Sequence, residues 1–206
     1  MMTFVQKKKI LLASTNKGKL NEISLLLGNE FAMLLLTDVF PEIPEYIETG
    51  KSFVENAESK ALHFHRLTGI PTIADDSGLC VNYLSGAPGV MSARWAGEKA
   101  DDSKKNIKLL NEMKNAYRDN RRASFICCAS FADGGEIVKT ITGKVEGEIL
   151  FQPKGSSGFG YDPVFFYPPL EKTFAEMTAS EKNIHSHRGK AFRDLAAFIT
   201  HYFEEH

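Results

Sequence analysis

The 206-residue chain is predicted to be an α/β protein built on a mixed sheet, and three features of its sequence carry that expectation. Short apolar strands alternate with amphipathic helices through the first half, an order that favours parallel strands. Two longer apolar runs then flank 133-DGGE-136, a hairpin turn. A helix with its own apolar face closes the chain. A parallel front with an antiparallel middle argues against a purely doubly wound sheet.

The elements follow in order. Residues 9–13 are the first strand. Residues 17–27 have helical spacing, with Leu20, Ile23 and Leu27 on one face and Gly28 as the stop. A second strand is expected at 33–36. The prolines and acids of 38-DVFPEIPEYIETG-50 make a loop. Ser52 and Glu55 have capping-box spacing, and Val54, Ala57, Ala61 and Phe64 then share a face until Gly69-Ile70-Pro71. Residues 70–74 read as a short buried strand that stops at Asp75 and Asp76. Residues 84–98 form a Gly/Pro-containing loop, and a helix starting at Asp102 or Ser103 turns Ile107, Leu110 and Met113 inward. The hairpin strands are 123–132 and 137–145. A glycine-rich loop, 152-QPKGSSGFGYDP-163, leads to a short strand at 164–167. The last helix, 189–203, buries Leu195, Phe198, Ile199 and Tyr202.

Length and 43% hydrophobic residues suffice for a sizeable core. A net charge of -1, with no basic run beyond Lys7-Lys8-Lys9, argues against a nucleic-acid-binding surface. The segment 1-MMTFVQKKKILLAS-14 has no long apolar stretch, and nothing approaches the ~20 apolar residues of a membrane span, so a soluble chain without a secretion signal is expected. Three cysteines, Cys80, Cys127 and Cys128, two of them adjacent in an apolar strand, read as small core residues in a reducing cytoplasm.

Four stretches carry candidate chemistry. In 14-STNKGK-19 a strand opens into a helix, where backbone N–H groups attract anions. Ser14, Thr15 and Asn16 add short donors, Lys17 and Lys19 add charge, and Gly18 lies among them. The P-loop pattern fails at 50-GKS-52, because Glu45 stands where a glycine is required. The acids before it, Glu42, Glu45 and Glu48, suit a cation. Asp75 and Asp76 are adjacent, so on a regular strand they point to opposite faces. Two carboxylates resist desolvation unless a cation compensates, and Mg²⁺ favours carboxylate and phosphate oxygens. In 155-GSSGFGYD-162, glycines allow close backbone approach, Phe159 offers a stacking face and Asp162 a hydrogen-bonding carboxylate. Finally, 182-KNIHSHRGK-190 gathers Lys182, His185, His187, Arg188 and Lys190 before the last helix, with Ser186 as candidate N-cap. Cations there oppose the helix dipole, which hints at an anion or electron-rich edge as ligand. His185 and His187 lack a third partner at zinc spacing. Phosphate cradle, acid pair, aromatic loop and cationic cluster together describe a nucleoside triphosphate site.

The chain resembles the inosine triphosphate pyrophosphatases, house-cleaning enzymes for non-canonical purine nucleotides. The resemblance rests on 14-STNKGK-19, 48-ETGKSFVENAESKA-61, 74-ADDSGL-79, 86-GAPGVMSARWAGE-98, 158-GFGYDPVF-165 and 186-SHRGKA-191, which occur in family order over nearly the whole chain. It implies one catalytic domain over residues 1–206, an elongated mixed sheet flanked by helices, and two lobes with a central cleft. It implies Mg²⁺-dependent cleavage of ITP, dITP and XTP to the monophosphate and pyrophosphate, by a cytoplasmic homodimer with neither nucleic acid nor membrane as partner. Carried over by residue, Asp76 is metal ligand and general base and Asp75 a supporting acid. Ser14, Asn16 and Lys19 hold the triphosphate, and Ser77 contacts the nucleotide. Phe159, Gly160, Tyr161 and Asp162 line the base pocket, completed by Lys182, His187 and Arg188. The second metal ligand is Glu45 or Glu48, both of which stay open.

Overall fold

The computed structural model describes residues 7–97 and 100–205. The leader expectation was drawn from residues 1–14, of which 1–6 lie outside the described residues, as does Glu98, the last residue of the motif at 86–98. The elements are β1 (Lys8–Leu12), α1 (Lys17–Leu27), β2 (Phe31–Leu35), α2 (Leu36–Val39), α3 (Phe53–Thr68), β3 (Thr72–Val81), α4 (Asp102–Glu112), β4 (Arg122–Asp133), β5 (Glu136–Ile149), β6 (Phe165–Tyr167), β7 (Lys172–Thr173), α5 (Ala179–His185) and α6 (His187–Glu205). Among the described residues seven strands form one mixed sheet in the order β2-β1-β3-β4-β5-β6-β7. β1 is parallel to β2 and β3, whereas β6 is antiparallel to β5 and β7. Among the described residues no helix is long and apolar enough to cross a membrane.

Two compact units share these elements. The first runs through Asp76 and adds Cys128–Thr142 and the chain from Ala191 onward; the second holds Ser77–Cys127 and Gly143–Lys190. Leu11, Ala13, Leu36, Ala61, Phe64, Ala74 and Ala132 pack a core in the first. In the second, Leu79, Leu109, Met113, Phe125, Val145, Phe165 and Phe174 pack another. Each buried aliphatic or aromatic side chain contributes about 1.5–3 kcal/mol relative to exposure.

Several expectations are corrected. β3 does not end at the carboxylates: it runs ten residues, with Asp75 and Asp76 inside it. Polar residues can occupy a strand interior when each finds a partner, and both of these do. In α3, Ser52 Oγ accepts from the Glu55 N–H, but the Glu55 carboxylate reaches back to the Lys51 N–H, so the reciprocal half of the capping box is displaced by one residue. Ala57, Ala61 and Phe64 are buried, while Val54 is not. α4 is rotated from the expected face: Asn106, Leu109 and Met113 are buried and Ile107 is exposed. Asp101 caps it, accepting from the Lys104 N–H. The loop expected at 38–50 begins two residues later, because α2 claims Leu36–Val39. α5 was not anticipated; its capping box at Thr178 and Glu181 was the available signal. Ser186 ends α5, and its Oγ accepts from the Gly189 N–H at 3.0 Å, so it does cap the following helix. Phe198 and Tyr202 on that helix are only half-buried. The tight turn at 133–136 places Gly134 and Gly135 at φ 60° and 88°, a left-handed conformation that suits glycine and closes the hairpin.

Candidate active site

The first unit gathers charge around the end of its part of β3. At the start of α1 the side chains act as acceptors rather than donors: Asn16 Oδ1 accepts from the N–H groups of Gly18 (2.8 Å) and Lys19 (3.2 Å), and Ser14 Oγ accepts from the Asn16 N–H. Thr15, Asn16, Lys17 and Gly18 are exposed. Lys19 turns inward instead and forms two bonds to Asp75, at 2.8 and 3.0 Å, so the supporting acid is anchored by a residue assigned to phosphate. Asp75 is 2% exposed, which makes that pairing necessary.

On the next residue, Asp76 Oδ2 accepts a 2.8 Å bond from Asn56 Nδ2. Burial pushes its carboxyl from the ordinary 3.8 up to about 6; the Asn56 bond works against this, and the charge of Glu48 adds to it. Glu48 itself pairs with Lys60 at 2.6 Å. Burial disfavours the Lys60 ammonium, yet the surrounding charges of Asp75, Glu48 and Asp76 outweigh it and raise its pKa. Glu48 thus belongs to the electrostatic neighbourhood of Asp76, whereas Glu45 is exposed on the preceding stretch of loop. Asn56 and Lys60 were both missed from sequence. They lie four apart on α3, Asn56 buried beside Ala57, Ala61 and Phe64, and polar residues at that spacing along a core-facing stripe were the legible signal.

The second unit holds the aromatic–cation cluster. Asp162, 3% exposed, accepts from Lys182 Nζ and, at 2.8 Å, from the Phe159 N–H. Burial pushes its carboxyl up against the opposing pull of Lys182. The Lys182 ammonium lies 4.7 Å from the Phe159 ring centroid and the Arg188 guanidinium 5.4 Å, both within cation–π range. Gly160 is gripped at both ends of its peptide environment: its N–H donates to Asp102 Oδ2 at 2.7 Å and its carbonyl accepts from Asn106 Nδ2 at 2.9 Å. Tyr161 is buried, and its hydroxyl donates to the Ser92 carbonyl; burial raises its pKa further from neutrality. It is therefore a wall and anchor, with its phenol turned to the protein. His187 stacks on Phe125 at 4.6 Å with an interplanar angle of 7°. Ser77 is half-buried on β3. Asp102 and Asn106, again four apart, had no assigned role in sequence.

Cys80, Cys127 and Cys128 are free thiols. Burial raises the pKa of Cys80 and Cys128, which makes them poor nucleophiles. Among the described residues no three His, Cys, Asp or Glu side chains converge as a closed metal cage. Asp76 with Glu48 nevertheless offers the donor set Mg²⁺ accepts, since that ion commonly takes one or two carboxylates and completes its shell with water and substrate phosphate.

The chain is thus an α/β protein with an acid–lysine cluster near the start of α1 in its first unit and, in its second, an aromatic ring with two cations over it. The Ham1 family model matches residues 10–198, and the chain belongs to the Ham1 family. It is 47% identical over 188 residues to a dITP/XTP pyrophosphatase of Desulfotalea psychrophila, covering 91% of this chain and 83% of that one. A dITP/XTP pyrophosphatase of Dictyoglomus thermophilum is 45% identical over 96% of this chain and 97% of its own length. Among solved structures, a HAM1 protein from Coxiella burnetii superposes with a TM-score of 0.87 at 40% identity, over 94% of this chain and 99% of that one. The Staphylococcus aureus Ham1 protein does so with the same score at 38% identity, covering 95% and 100%.

Proposed function

We infer that this chain is a nucleoside triphosphate pyrophosphatase that hydrolyses non-canonical purine nucleotides, dITP, XTP and ITP, to the monophosphate and pyrophosphate. The dITP/XTP pyrophosphatases among its relatives support the reaction class. The observation in this chain that carries the reading is Asp76: a buried carboxylate held by Asn56, its pKa raised to about 6 in the metal-free protein and pushed up in part by the charge of Glu48, is a place that a cation would favour.

In this mechanism Asp76 and Glu48 would hold Mg²⁺, which would supply positive charge to offset that of the phosphates. Glu48 is preferred over Glu45 because it neighbours Asp76 electrostatically and is fixed by Lys60. Asp76 takes a proton from a water as its oxygen attacks the α-phosphorus. The bond from that phosphorus to the α–β bridging oxygen breaks, and pyrophosphate leaves. Ser14, Thr15, Asn16 and Lys17, beside Gly18 at the start of α1, bind the phosphates, whose oxygens would replace Asn16 Oδ1 as acceptor for the Gly18 and Lys19 N–H groups. Lys19 serves them while anchoring Asp75, and Lys60 adds a second buried positive charge to offset the leaving group.

For the base, Phe159 supplies the stacking face. Arg188 and Lys182 can only donate, which suits the 6-oxo acceptor of hypoxanthine and xanthine and rejects the 6-amino donor of adenine. GTP shares the 6-oxo group, so its exclusion falls on the 2-amino group, by lack of room or by a mismatched partner. Asp162 sets the Lys182 ammonium, Gly160 and Tyr161 shape the loop, His187 packs beneath the cluster, and Ser77 contacts the nucleotide. The working protein is a cytoplasmic homodimer of one catalytic domain, with neither nucleic acid nor membrane as partner; the net charge of -1 supports the nucleic-acid part of that reading.

The test is pyrophosphate release from dITP, ITP, XTP, GTP, ATP and dTTP, each with Mg²⁺ and with chelator. Metal-dependent release confined to dITP, ITP and XTP is expected. Release chiefly from dTTP would keep the acid chemistry and remove the base reading; no release from any would remove both.

A further inference from the structure

The acidic loop is laid along α3 in the opposite direction to the helix. Tyr46 Oη meets Ser59 Oγ at 2.5 Å, Glu48 meets Lys60 at 2.6 Å, the Gly50 N–H meets Asn56 at 2.8 Å, and the Lys51 N–H meets Glu55 at 2.7 Å. Of these four helix residues, Asn56 also holds the strand by a hydrogen bond. Its Oδ1 accepts from Gly50, two residues beyond Glu48, while its Nδ2 donates to Asp76 Oδ2. The orientation of this amide is dictated by its neighbours, because a carboxylate can only accept and a backbone N–H can only donate. Asn56 is 1% exposed, so both ends must be satisfied. Its neutrality matters as well. A lysine here would cancel the charge of Asp76, whereas an amide orients one oxygen of a group with about four lone-pair sites and leaves its charge intact.

We propose that Asn56 is a positioning residue: one buried amide that ties the acidic loop to Asp76, so that Glu48 and Asp76 present their oxygens to a cation in a preset arrangement. This rests on the reading of those two acids as metal ligands. Gly50 is the loop's half of the tie. A Cβ at position 50 would collide with Asn56 Oδ1 and approach Glu55 Cβ to 2.9 Å, so any larger residue pushes the loop off the helix.

The experiment uses the full chain and two readouts: Mn²⁺ binding without nucleotide, followed by electron paramagnetic resonance, and kcat and KM for dITP against dATP. Asn56→Ala and Gly50→Ala should each weaken Mn²⁺ binding and lower kcat by about 10–100-fold, the usual cost of losing a group that orients a metal ligand. The dITP/dATP preference should not move, which separates the effect from the base cluster. The double variant should be no worse than the poorer single variant, since both remove one tie. Glu55→Ala, which deletes the neighbouring exposed bond, should stay within about twofold, as surface substitutions do. If Asn56→Ala does not fold, Gly50→Ala decides alone. Unchanged Mn²⁺ affinity and kcat in the folded variants would overturn the proposal, as would an equal loss in Glu55→Ala, which would mean general loosening of the loop. Asp76→Asn is run alongside. If it too binds Mn²⁺ and turns over normally, the underlying metal-site reading has failed; if it is inactive while Asn56→Ala is normal, only the tie has failed.

Discussion

Asp76 in the first unit and Asp162 in the second are both buried carboxylates, 9% and 3% exposed, and burial raises the pKa of both, yet different groups hold them. Asp162 receives a lysine ammonium and a backbone N–H directly. Asp76 receives a neutral amide, with the charge of Lys60 lowering its pKa only as a lesser influence. The contrast teaches what each place is for. A carboxylate that sets the position of a cation has that cation's charge working directly against the cost of its burial. In the reading proposed for Asp76, the amide orients the carboxylate while burial keeps its pKa raised, a cost that a bound cation would relieve.

The largest expected effect is on turnover. Asp76→Asn should lower kcat by about 10²–10⁴-fold, the range for removing a general base, while the protein stays folded. Near-wild-type turnover would end the assignment of Asp76. The opposite outcome is expected in the second unit. Lys182→Met leaves Asp162 buried beside no ammonium, and breaking such a pair costs about 3–5 kcal/mol, read as a lower urea midpoint at neutral pH. If Lys182→Met were as stable as wild type, the two carboxylates would not differ in the way described.

A pH titration of the metal-free protein sharpens the comparison further. The folded-state pKa of Asp76 is raised from 3.8 to about 6, so the folded chain holds a proton there that the unfolded chain has released. Stability from this group is therefore greatest below about 4 and declines as pH rises towards and through 6. The interval amounts to on the order of 3 kcal/mol at ~1.36 kcal/mol for each pH unit. Asp76→Asn should flatten this part of the profile and be at least as stable as wild type at neutral pH without metal; an unchanged slope would show that Asp76 is not its source. The smallest effect is one of recognition. Arg188→Ala should raise KM for dITP about tenfold and narrow the dITP/dATP preference, the scale of one lost charged hydrogen bond. An unaltered preference would remove Arg188 as a base reader.

Much of this molecule was legible before its folding was known. The α1 boundaries matched because Asn16 and Gly28 are local signals, a cap at one end and a stop at the other. The hairpin matched because a turn with two glycines depends on its own residues. The candidate site stretches were legible as residue types, and most of those residues fall into one of two clusters. The misreadings share a cause. β3 was expected to stop at Asp75 because adjacent charges in a buried strand are costly alone; nothing local to residues 72–81 says that Lys19 and Asn56, 56 and 20 positions away, will meet them. The face of α4 was misjudged because Asn106 is buried for its bonds to Gly160 and Asp102, a reason that hydropathy does not register.

By itself the sequence determined the α/β class, the places of the caps and turns, and the chemical inventory of acids, lysines, glycines and a stacking ring, because these follow from local periodicity, backbone preference and residue type. Only the tertiary structure decided which acid faces which cation. It paired Lys19 with Asp75 and Glu48 with Lys60, gave Asp76 a neutral amide, and set Glu48 rather than Glu45 near it. The physical reason is that burial and long-range pairing fix the energy of a charge, and both depend on what the chain brings alongside from far away in sequence.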